Sequence, residues 1–274
     1  MMDRRGSLPR HRLVAIAVMA KAPQPGKVKT RLVPPLAPEE AMALSASFLR
    51  DVTENITLAS RDAPIQGYVA YAPAGGEHLF DGALAPNTPL VLADGAIETP
   101  PRVRGFGRSL LHAARGLFAR GHDSVCLLNS DSPTLPTALL RQAALALAGA
   151  GDRIVLGPAE DGGYYLLGLK APHAHLFEDI RWSSEHVAAE TCERAKALRL
   201  EIVRLAPWYD VDDCTSLRRL VGEVAGGGQR ECGAAAPYPA PATAACVFRL
   251  KLAERLEPPA PAAAMSVPAD RMAS

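Results

Sequence analysis

Apolar residues recur along this chain in two alternating patterns, which predict strands that alternate with helices. Largely apolar runs, typical of strands covered on both faces, lie at residues 13–20, 65–72, 89–94, 123–129, 153–158, 164–169 and 201–208. Four-residue spacing of apolar side chains predicts helices from residue 38 onward, at about 108–119, at 137–148, at about 185–198 and after residue 213. This alternation indicates βαβ units and a mainly parallel central sheet.

The pattern fades at both ends of the chain, which gives the predicted domain organisation. Residues 1–12 are interpreted as a disordered lead-in, and residues 13–225 as the folded domain. Residues 226–274 are rich in alanine and proline, and this low-complexity composition predicts a largely disordered tail. One apolar patch within the tail, residues 246–256, is a candidate helix.

Composition and charge narrow the classes of function. The chain has 274 residues, of which 48% are hydrophobic and 22% charged, and its net charge is +1. A protein so close to neutral has no overall field that attracts DNA or anionic lipid, so we expect no nucleic-acid partner. The five cysteines form no C-x-x-C pair, which argues against a disulfide framework or zinc cluster and favours the cytoplasm. No apolar run reaches the roughly 18 residues of a membrane span, so stable membrane insertion is not expected.

The most basic loop follows the first predicted strand and reads KAPQPGKVKTRL. Lys21, Lys29 and Arg31 supply positive charge that can bind phosphate oxygens. Thr30 adds a hydroxyl group, and Gly26 permits a close backbone approach. Ligands of open α/β sheets bind beyond the carboxyl ends of strands, so this loop is a candidate nucleotide-phosphate site. The alternative is a solvated basic turn, but the absence of acids from the loop favours phosphate.

Two acidic loops follow later predicted strands. The stretch NSDSP places Asp131 just beyond a buried strand, where a carboxylate suits a divalent cation that bridges to phosphate. The alternative is a turn in which Asp131 or Ser132 only caps the backbone before the proline. In WYDVDDC, Asp210 and Asp212 point to the same side of an extended segment. Asp213 alone can cap the next helix, so the two further acids favour a metal site.

Two weaker candidates complete the set. EDGGYY places Asp161, Gly162 and Gly163 in a turn that can approach a ligand closely, although an ordinary hairpin turn explains it equally well. RGFGRSL places Gly107 and Arg108 at the start of a helix, where they can face an anion. A plain loop-to-helix junction is the favoured alternative there.

Four motifs in order resemble one known family. KAPQPGKVKTRL, SDSP, DGGYYLLG and WYDVDD resemble the bacterial glycosyltransferase-like group called domain of unknown function 2064, within the nucleotide-diphospho-sugar transferase superfamily. The resemblance covers about residues 13–221 and implies a GT-A fold, a Rossmann-like three-layer α/β sandwich, with Mg²⁺ or Mn²⁺ on a bound diphosphate. It implies phosphate contacts from Lys29 and Arg31 and metal ligation by Asp131 and Asp212, with Asp210 behind. Asp161 and Gly162 would then face the acceptor.

The resemblance implies a metal-dependent transferase that uses a nucleotide-activated donor. A nucleotide-sugar glycosyltransferase with a small-molecule acceptor is the leading hypothesis. Where related glycosyltransferases often carry D-x-D, this chain has a single carboxylate in Asp131-Ser132-Pro133. The KTRL fragment also resembles guanylyltransferases, so nucleotidyl transfer from a nucleoside triphosphate to a phosphorylated small molecule stays open. The alternative from another class is a non-catalytic nucleotide-binding protein.

Overall fold

A seven-stranded sheet forms the centre of the computed structural model, which describes residues 13–226 and 235–256. The strands are β1 (Val14–Lys21), β2 (Ile65–Ala72), β3 (Leu90–Leu92), β4 (Val125–Leu128), β5 (Arg153–Pro158), β6 (Tyr164–Leu169) and β7 (Glu201–Arg204). Their order across the sheet is β3-β2-β1-β4-β6-β5-β7. Only β6 runs antiparallel to its neighbours β4 and β5, so the predicted mainly parallel sheet is confirmed.

Helices cover both faces of this sheet. They are α1 (Pro38–Ala59), α2 (Phe106–Phe118), α3 (Thr137–Ala148), α4 (Val187–Ala197), α5 (Cys214–Val224), α6 (Pro241–Arg249) and α7 (Leu252–Arg255). Apolar side chains of α1 and α3 pack on one face of the sheet, and those of α2 and α4 pack on the other. The predicted three-layer α/β sandwich is therefore confirmed.

The central strand β1 explains why the first apolar run is continuous. Ile16 and Val18 point into the core beneath α1 and α3, whereas Ala15 and Ala17 point into the core beneath α2. All four side chains are fully buried, as a strand covered on both faces requires. Because β1 pairs in parallel with both β2 and β4, the loops that follow these strands emerge at the same edge of the sheet.

Some element boundaries differ from the prediction. The last strand was expected over residues 201–208, but β7 ends at Arg204, and Trp208 makes only an isolated bridge to Ala159. The second helix begins at Phe106, two residues before its predicted start, because Gly105 turns the backbone with a φ of 52°. Both differences fall where the chain leaves regular structure, at the edge of the sheet that carries the polar loops.

The C-terminal region differs more. Residues 235–256, expected to lie within a largely disordered tail, instead fold into α6 and α7. Their buried Cys246, Val247 and Leu252 join a third apolar core formed with α1 and α5. The candidate helix at 246–256 is thus two helices, and the first begins five residues earlier than predicted. The predicted lead-in at 1–12, and the tail at 227–234 and 257–274, lie outside the described residues.

Polar contacts anchor this C-terminal segment to α1. The Asp51 carboxylate accepts hydrogen bonds from the backbone N–H of Ala242 (3.0 Å) and Thr243 (2.6 Å), so it caps the first turn of α6. Arg255 donates to both carboxylate oxygens of Glu40, at 2.8 and 2.9 Å. Within the described part of the chain, no helix is long and apolar enough to cross a membrane.

Candidate functional site

A cavity of about 650 Å³ lies at the edge of the sheet where the parallel strands end. Its floor is formed by the last residues of β1 and β2 and by Ala93, which follows β3. Asn129, which follows β4, and Tyr164, which begins the antiparallel β6, extend the floor to the other side. Of the predicted site residues, those that line the cavity are Lys21, Lys29, Thr30, Arg31, Asp131, Asp161, Gly163, Asp210 and Asp212.

One side of the cavity is basic, and we call it the basic wall. It consists of Lys21, Lys27, Thr30 and Arg31, all of which are exposed. The loop that carries them is held by Leu32, which is fully buried in the core of α1 and α5. Gly26 does not line the cavity; its φ of 68° serves the turn, and there is open space where a Cβ would lie. The predicted close approach of its backbone to a ligand is therefore not supported.

Lys29 differs from the rest of this loop, because its ammonium group is bound by acidic residues of the cavity lining. Its ammonium group lies 2.8 Å from Asp131 Oδ1 and 3.2 Å from Asp212 Oδ1, and it donates to the carbonyl oxygen of Val211 at 2.7 Å. Only 6% of the side chain is exposed. Three acceptors use all three of its protons. In this arrangement Lys29 binds the metal candidates, not a phosphate as predicted.

A second group of lining residues is acidic, and we call it the acidic wall. Its carboxylates are Asp131, Asp161, Glu185, Asp210 and Asp212. They come from loops that are far apart in sequence, and hydrogen bonds join two of these loops. Val211 donates its backbone N–H to the carbonyl oxygen of Asp131 at 2.9 Å, and the Ser132 hydroxyl donates to the carbonyl oxygen of Tyr209 at 2.8 Å.

A polar cluster supports the acidic wall from behind. Arg219 stacks over the ring of Tyr209 at 3.8 Å and binds Glu160 through Nη1 and Oε2 at 2.6 Å. The hydroxyl groups of Thr134 and Tyr209 both donate to Glu223. These contacts fix the backbone just before Asp210. A fixed backbone restricts the orientation of the Asp210 side chain.

The three clustered acids after β7 divide into two roles. Asp213 Oδ1 accepts hydrogen bonds from the backbone N–H of Thr215 (2.9 Å) and Ser216 (2.8 Å), so it is the N-cap of α5. Asp210 and Asp212 line the cavity instead. The expectation that one acid caps the helix and leaves the other two for a site agrees with this geometry.

Asp210 is the carboxyl group most strongly affected by its surroundings. Burial, followed by the negative charges of Asp161, Asp212 and Asp131, raises its pKa to about 6. A raised pKa means that the ionised form lacks compensation. The acidic wall thus carries more negative charge than the ammonium group of Lys29 balances.

The carboxylate oxygens of the acidic wall are suitable ligands for a divalent cation. They are not, however, already arranged as a complete metal site. Within residues 13–226 and 235–256, no three His, Cys, Asp or Glu side chains are arranged to hold a metal ion. The predicted set of Asp131, Asp210 and Asp212 is therefore not preassembled, since Lys29 bridges two of its members. Mg²⁺ commonly binds through one or two carboxylates together with substrate phosphates. The residues therefore fit a cation whose remaining ligands are the phosphate oxygens of a bound nucleotide.

The turn between β5 and β6 combines both interpretations considered for EDGGYY. It is an ordinary hairpin turn in an antiparallel pair, and its Asp161 accepts a hydrogen bond from the backbone N–H of Gly163 at 2.8 Å. Gly162 has a φ of 90°, and a Cβ there would lie 2.2 Å from the carbonyl oxygen of Glu185. Gly162 does not line the cavity; it lets the segment before α4 pack closely, so the prediction that it faces an acceptor is not supported.

The junction before α2 also has a structural role. Arg108 donates to the carbonyl oxygens of Gly95 (3.1 Å) and Ile97 (2.8 Å) and to the hydroxyl group of Thr99 (3.1 Å). Its guanidinium therefore holds a neighbouring loop and does not line the cavity. A Cβ at Gly107 would lie 2.9 Å from the ring of Trp182. The phosphate contacts predicted for Gly107 and Arg108 are not supported, and the plain loop-to-helix junction agrees better with these contacts.

Several lining residues were not singled out from the sequence. They are Ser45, Tyr71, Phe106, Ser109, Trp182, Ser183, Ser184 and Glu185. The stretch RWSSEH carried a usable signal, because a tryptophan, two serines and an acid precede a helix in the half of the chain that holds the acidic loops. Tyr71 gave no such signal, since it lies in the apolar run at 65–72 that predicts core. Phe106 lies in RGFGRSL, where only Gly107 and Arg108 were considered.

Comparison with known proteins finds one family model and several structures. Residues 56–184 match the family model described as "Uncharacterized protein conserved in bacteria (DUF2064)". This range contains SDSP and DGGYYLLG, while the basic loop and WYDVDD lie outside it. No curated protein sequence matches the chain.

Among solved structures, a crystal structure from Desulfovibrio desulfuricans G20 matches this chain over most of its length. It is described as a candidate nucleotide-diphospho-sugar transferase, has 28% sequence identity and a TM-score of 0.70, and the match covers 88% of this chain and 96% of that one. A homologue of Mycobacterium tuberculosis Rv0371c from Mycobacterium sp. strain JC1 has 16% identity over 80% of this chain and 99% of that one, with a TM-score of 0.46. A CMP:2-keto-3-deoxy-manno-octonic acid synthetase complexed with CTP has 11% identity over 78% and 99%, with a TM-score of 0.46.

Proposed function

We propose that the chain, whose residues 56–184 match the DUF2064 family model, is a metal-dependent transferase with a nucleotide-activated donor, and specifically a nucleotide-sugar glycosyltransferase of the GT-A type. The Desulfovibrio structure supports a transferase of this kind, because its fold matches over most of both chains. The proposed donor is a nucleotide sugar and the proposed acceptor is a small molecule.

One observation carries the proposal, namely that the basic wall and the acidic wall line the same cavity at the carboxyl ends of the strands. A nucleoside diphosphate carries several negative charges, and the basic wall offers lysine, arginine and hydroxyl groups to bind them. The acidic wall offers carboxylate oxygens, which are the ligands that Mg²⁺ and Mn²⁺ prefer.

The basic wall would bind the donor phosphates. Lys21 and Arg31 would bind them through charge, and Thr30 through its hydroxyl group. Lys29 has another role, because its ammonium group holds Asp131 and Asp212 in place. The positive groups of the basic wall would favour transfer by stabilising the negative charge that develops on the departing diphosphate.

The acidic wall would hold the cation and receive the acceptor. Asp131, Asp210 and Asp212 are the proposed ligands, and a bound divalent cation would neutralise charge on the diphosphate. Asp161 keeps one oxygen free of its contact with Gly163, so it can accept a proton from an attacking hydroxyl group. The metal, the ligand set and the role of Asp161 belong to the proposal.

Ligand stabilisation against heat tests this function. The protein is warmed with UDP, GDP, their sugar derivatives, or nucleoside triphosphates, each with and without Mn²⁺. We expect a nucleotide sugar with Mn²⁺ to raise the melting temperature, because binding to the native state stabilises it by mass action. Stabilisation by triphosphates and not by nucleotide sugars would support nucleotidyl transfer instead.

The Asp131→Asn variant separates an enzyme from a nucleotide-binding protein. The exchange preserves size but removes a proposed cation ligand, so the extra stabilisation by Mn²⁺ should fall while the nucleotide alone still binds. If parent protein and variant bind nucleotide equally well with and without Mn²⁺, and neither transfers a sugar, the protein binds nucleotides without catalysis.

A further inference from the structure

Two aromatic side chains form a pair at the cavity that the proposed phosphate and metal sites do not use. Phe106, the first residue of α2, and Trp182, in the loop before α4, line the cavity together. Their ring centroids are 5.7 Å apart, and the ring planes meet at 88°. Phe106 is 49% exposed, so part of its ring is accessible to a ligand in the cavity.

The pair is rigidly supported. Trp182 packs directly on the start of α2, where Gly107 leaves room for its ring. The loop that carries it is tied to α4, because Glu190 accepts hydrogen bonds from Arg181 N (2.8 Å) and Arg181 Nε (2.5 Å). Ala188 donates its backbone N–H to the carbonyl oxygen of Gly162 at 3.0 Å, which joins the same segment to the hairpin turn. An aromatic surface held this way loses little entropy when a ligand binds.

The charges around the cavity are sorted by their place in the chain. Every Lys or Arg that lines it lies at or before residue 31, and every Asp or Glu that lines it lies at or after residue 131. Trp182 is followed by Ser183, Ser184 and Glu185, so the aromatic pair adjoins the acidic wall. Even if a divalent cation neutralised part of this wall, Asp161 and Glu185 would keep their charge.

Such surroundings select for a particular ligand chemistry. Carboxylates and serine hydroxyls accept hydrogen bonds from the hydroxyl groups of a ligand. An aromatic face packs against the C–H face of a saturated ring, with the polar groups at the rim left free to bond. A phosphate or carboxylate on that ring would be repelled by the acidic wall.

We propose that Phe106 and Trp182 form a binding platform for an uncharged, polyhydroxylated ring of the pyranose type. The proposal rests on the proposed function, and it requires the ring that binds at this pair to be neutral, not phosphorylated. The ring can be the sugar of the donor or a separate acceptor.

Fluorescence of Trp182 tests the platform. The chain has two tryptophans, so Trp208→Phe leaves Trp182 as the only one. This variant is titrated, in the presence of Mg²⁺, with methyl glycosides of glucose, mannose, galactose and N-acetylglucosamine, with UDP-glucose and GDP-mannose, with UDP and GDP, and with glucose 6-phosphate. We expect a change in emission with at least one neutral ring and little change with UDP or GDP. A response to the methyl glycosides assigns the ring to the acceptor, and a response to the nucleotide sugars alone assigns it to the donor.

Matched variants decide whether the aromatic pair is responsible. Phe106→Ala should weaken binding of the responding ring by about tenfold, and Phe106→Tyr should retain it. Phe248→Ala is the control, since Phe248 is 87% exposed on α6 and does not line the cavity, and it should leave ring binding unchanged. The proposal fails if glucose 6-phosphate binds as tightly as its neutral counterpart, or if Phe106→Ala has no effect.

The two proposals fail in different ways. Stabilisation by UDP or GDP with no response of Trp182 to any ring would overturn the platform and leave nucleotide use standing. Binding of a neutral ring with no stabilisation by any nucleotide would support the platform and overturn the proposed transferase.

Discussion

The two walls of the cavity are built in opposite ways. The basic wall comes from one continuous loop, and its side chains are exposed beside open space. The acidic wall comes from loops after β4, β5 and β7 and from the segment before α4, and these loops are packed on one another. A group that only attracts a diphosphate tolerates some freedom, whereas carboxylates of like charge must be held in place against their mutual repulsion. The difference indicates that the acidic wall needs a more exact geometry than the basic wall.

Lys29 is the exception that joins the two walls. It belongs to the basic loop by sequence, but its ammonium group bonds with the acidic wall. Its backbone is also in the left-handed region, with a φ of 48°, which is costly for a residue with a Cβ. Strain and a buried charge at Lys29 are expected if this residue holds the basic loop at a fixed distance from the acidic wall.

The largest expected difference between the walls comes from two glycines with similar φ angles. Gly162→Ala would put a Cβ 2.2 Å from the carbonyl oxygen of Glu185, so the packed segment must move. We expect the free energy of unfolding to fall by about 3 kcal/mol. Gly26→Ala meets open space and should cost only about 1 kcal/mol, from its φ alone. Urea unfolding measures both, and equal losses would show that the walls do not differ in packing.

The next largest effect concerns Lys29, whose ammonium group joins the basic loop to the acidic wall. Lys29→Met should lower the free energy of unfolding by about 2 kcal/mol, which is less than for a fully buried pair because Asp131 and Asp212 are partly exposed. It should also lower the rate of transfer by about a hundredfold.

Lys27→Met is the control for that variant, because Lys27 lines the cavity but is exposed. It should weaken donor binding with stability within about 0.5 kcal/mol of the parent. Equal stability of the two variants, measured by urea unfolding, would refute the bridging role of Lys29.

A smaller effect is expected behind both walls. Helix α6 packs on α1 and α5 in the third core, which also contains Leu32 of the basic loop and Tyr209 and Val211 beside the acidic wall. Asp51→Ala removes the cap of α6 and leaves two backbone N–H groups without their acceptor, so it should cost about 1–2 kcal/mol. Hydrogen exchange locates the change: faster exchange over residues 241–249 is expected, and a loss confined to α1 would contradict the capping role of Asp51.

The smallest expected effect is a dependence on pH. Burial raises the pKa of Asp51 above its ordinary value, although hydrogen bonds from the α6 end oppose the shift. The folded state then binds the proton more tightly than the unfolded state, so this contribution to stability declines as pH rises from the ordinary pKa through the raised one. Asp51→Asn keeps a hydrogen-bond acceptor but has no charge to titrate. The free energy of unfolding of this variant should therefore depend less steeply on pH than that of the parent protein. An unchanged slope between pH 4 and 7 would exclude Asp51 as its source.

Local patterns of the sequence predicted the fold well, because they depend on neighbours along the chain. The continuous apolar run of β1 and the spacing of Leu44, Phe48, Val52 and Ile56 in α1 both report burial directly. The antiparallel direction of β6 was not predicted, although its short hairpin turn was considered. The cap that Asp51 supplies to residues 242 and 243 joins segments that no local pattern relates.

The candidate site was predicted in part for the same reason. The loops with several charged residues were found because charge next to a strand end is visible in the sequence. The partners of Lys29 and the three acceptors of Arg108 depend on tertiary contacts. A charged residue in a loop therefore predicts that a polar partner exists, but not whether that partner is a ligand or the protein itself.

The contribution of α6 and α7 to the third core sets a lower limit on the length of chain that can be expressed. A version that ends at residue 225, where the sequence pattern fades, would expose the apolar surfaces of α1 and α5 that Cys246, Val247 and Leu252 cover. It would also leave the buried Asp51 without its two backbone donors. Such a truncated protein should aggregate on purification, whereas one that ends at residue 256 keeps every described element.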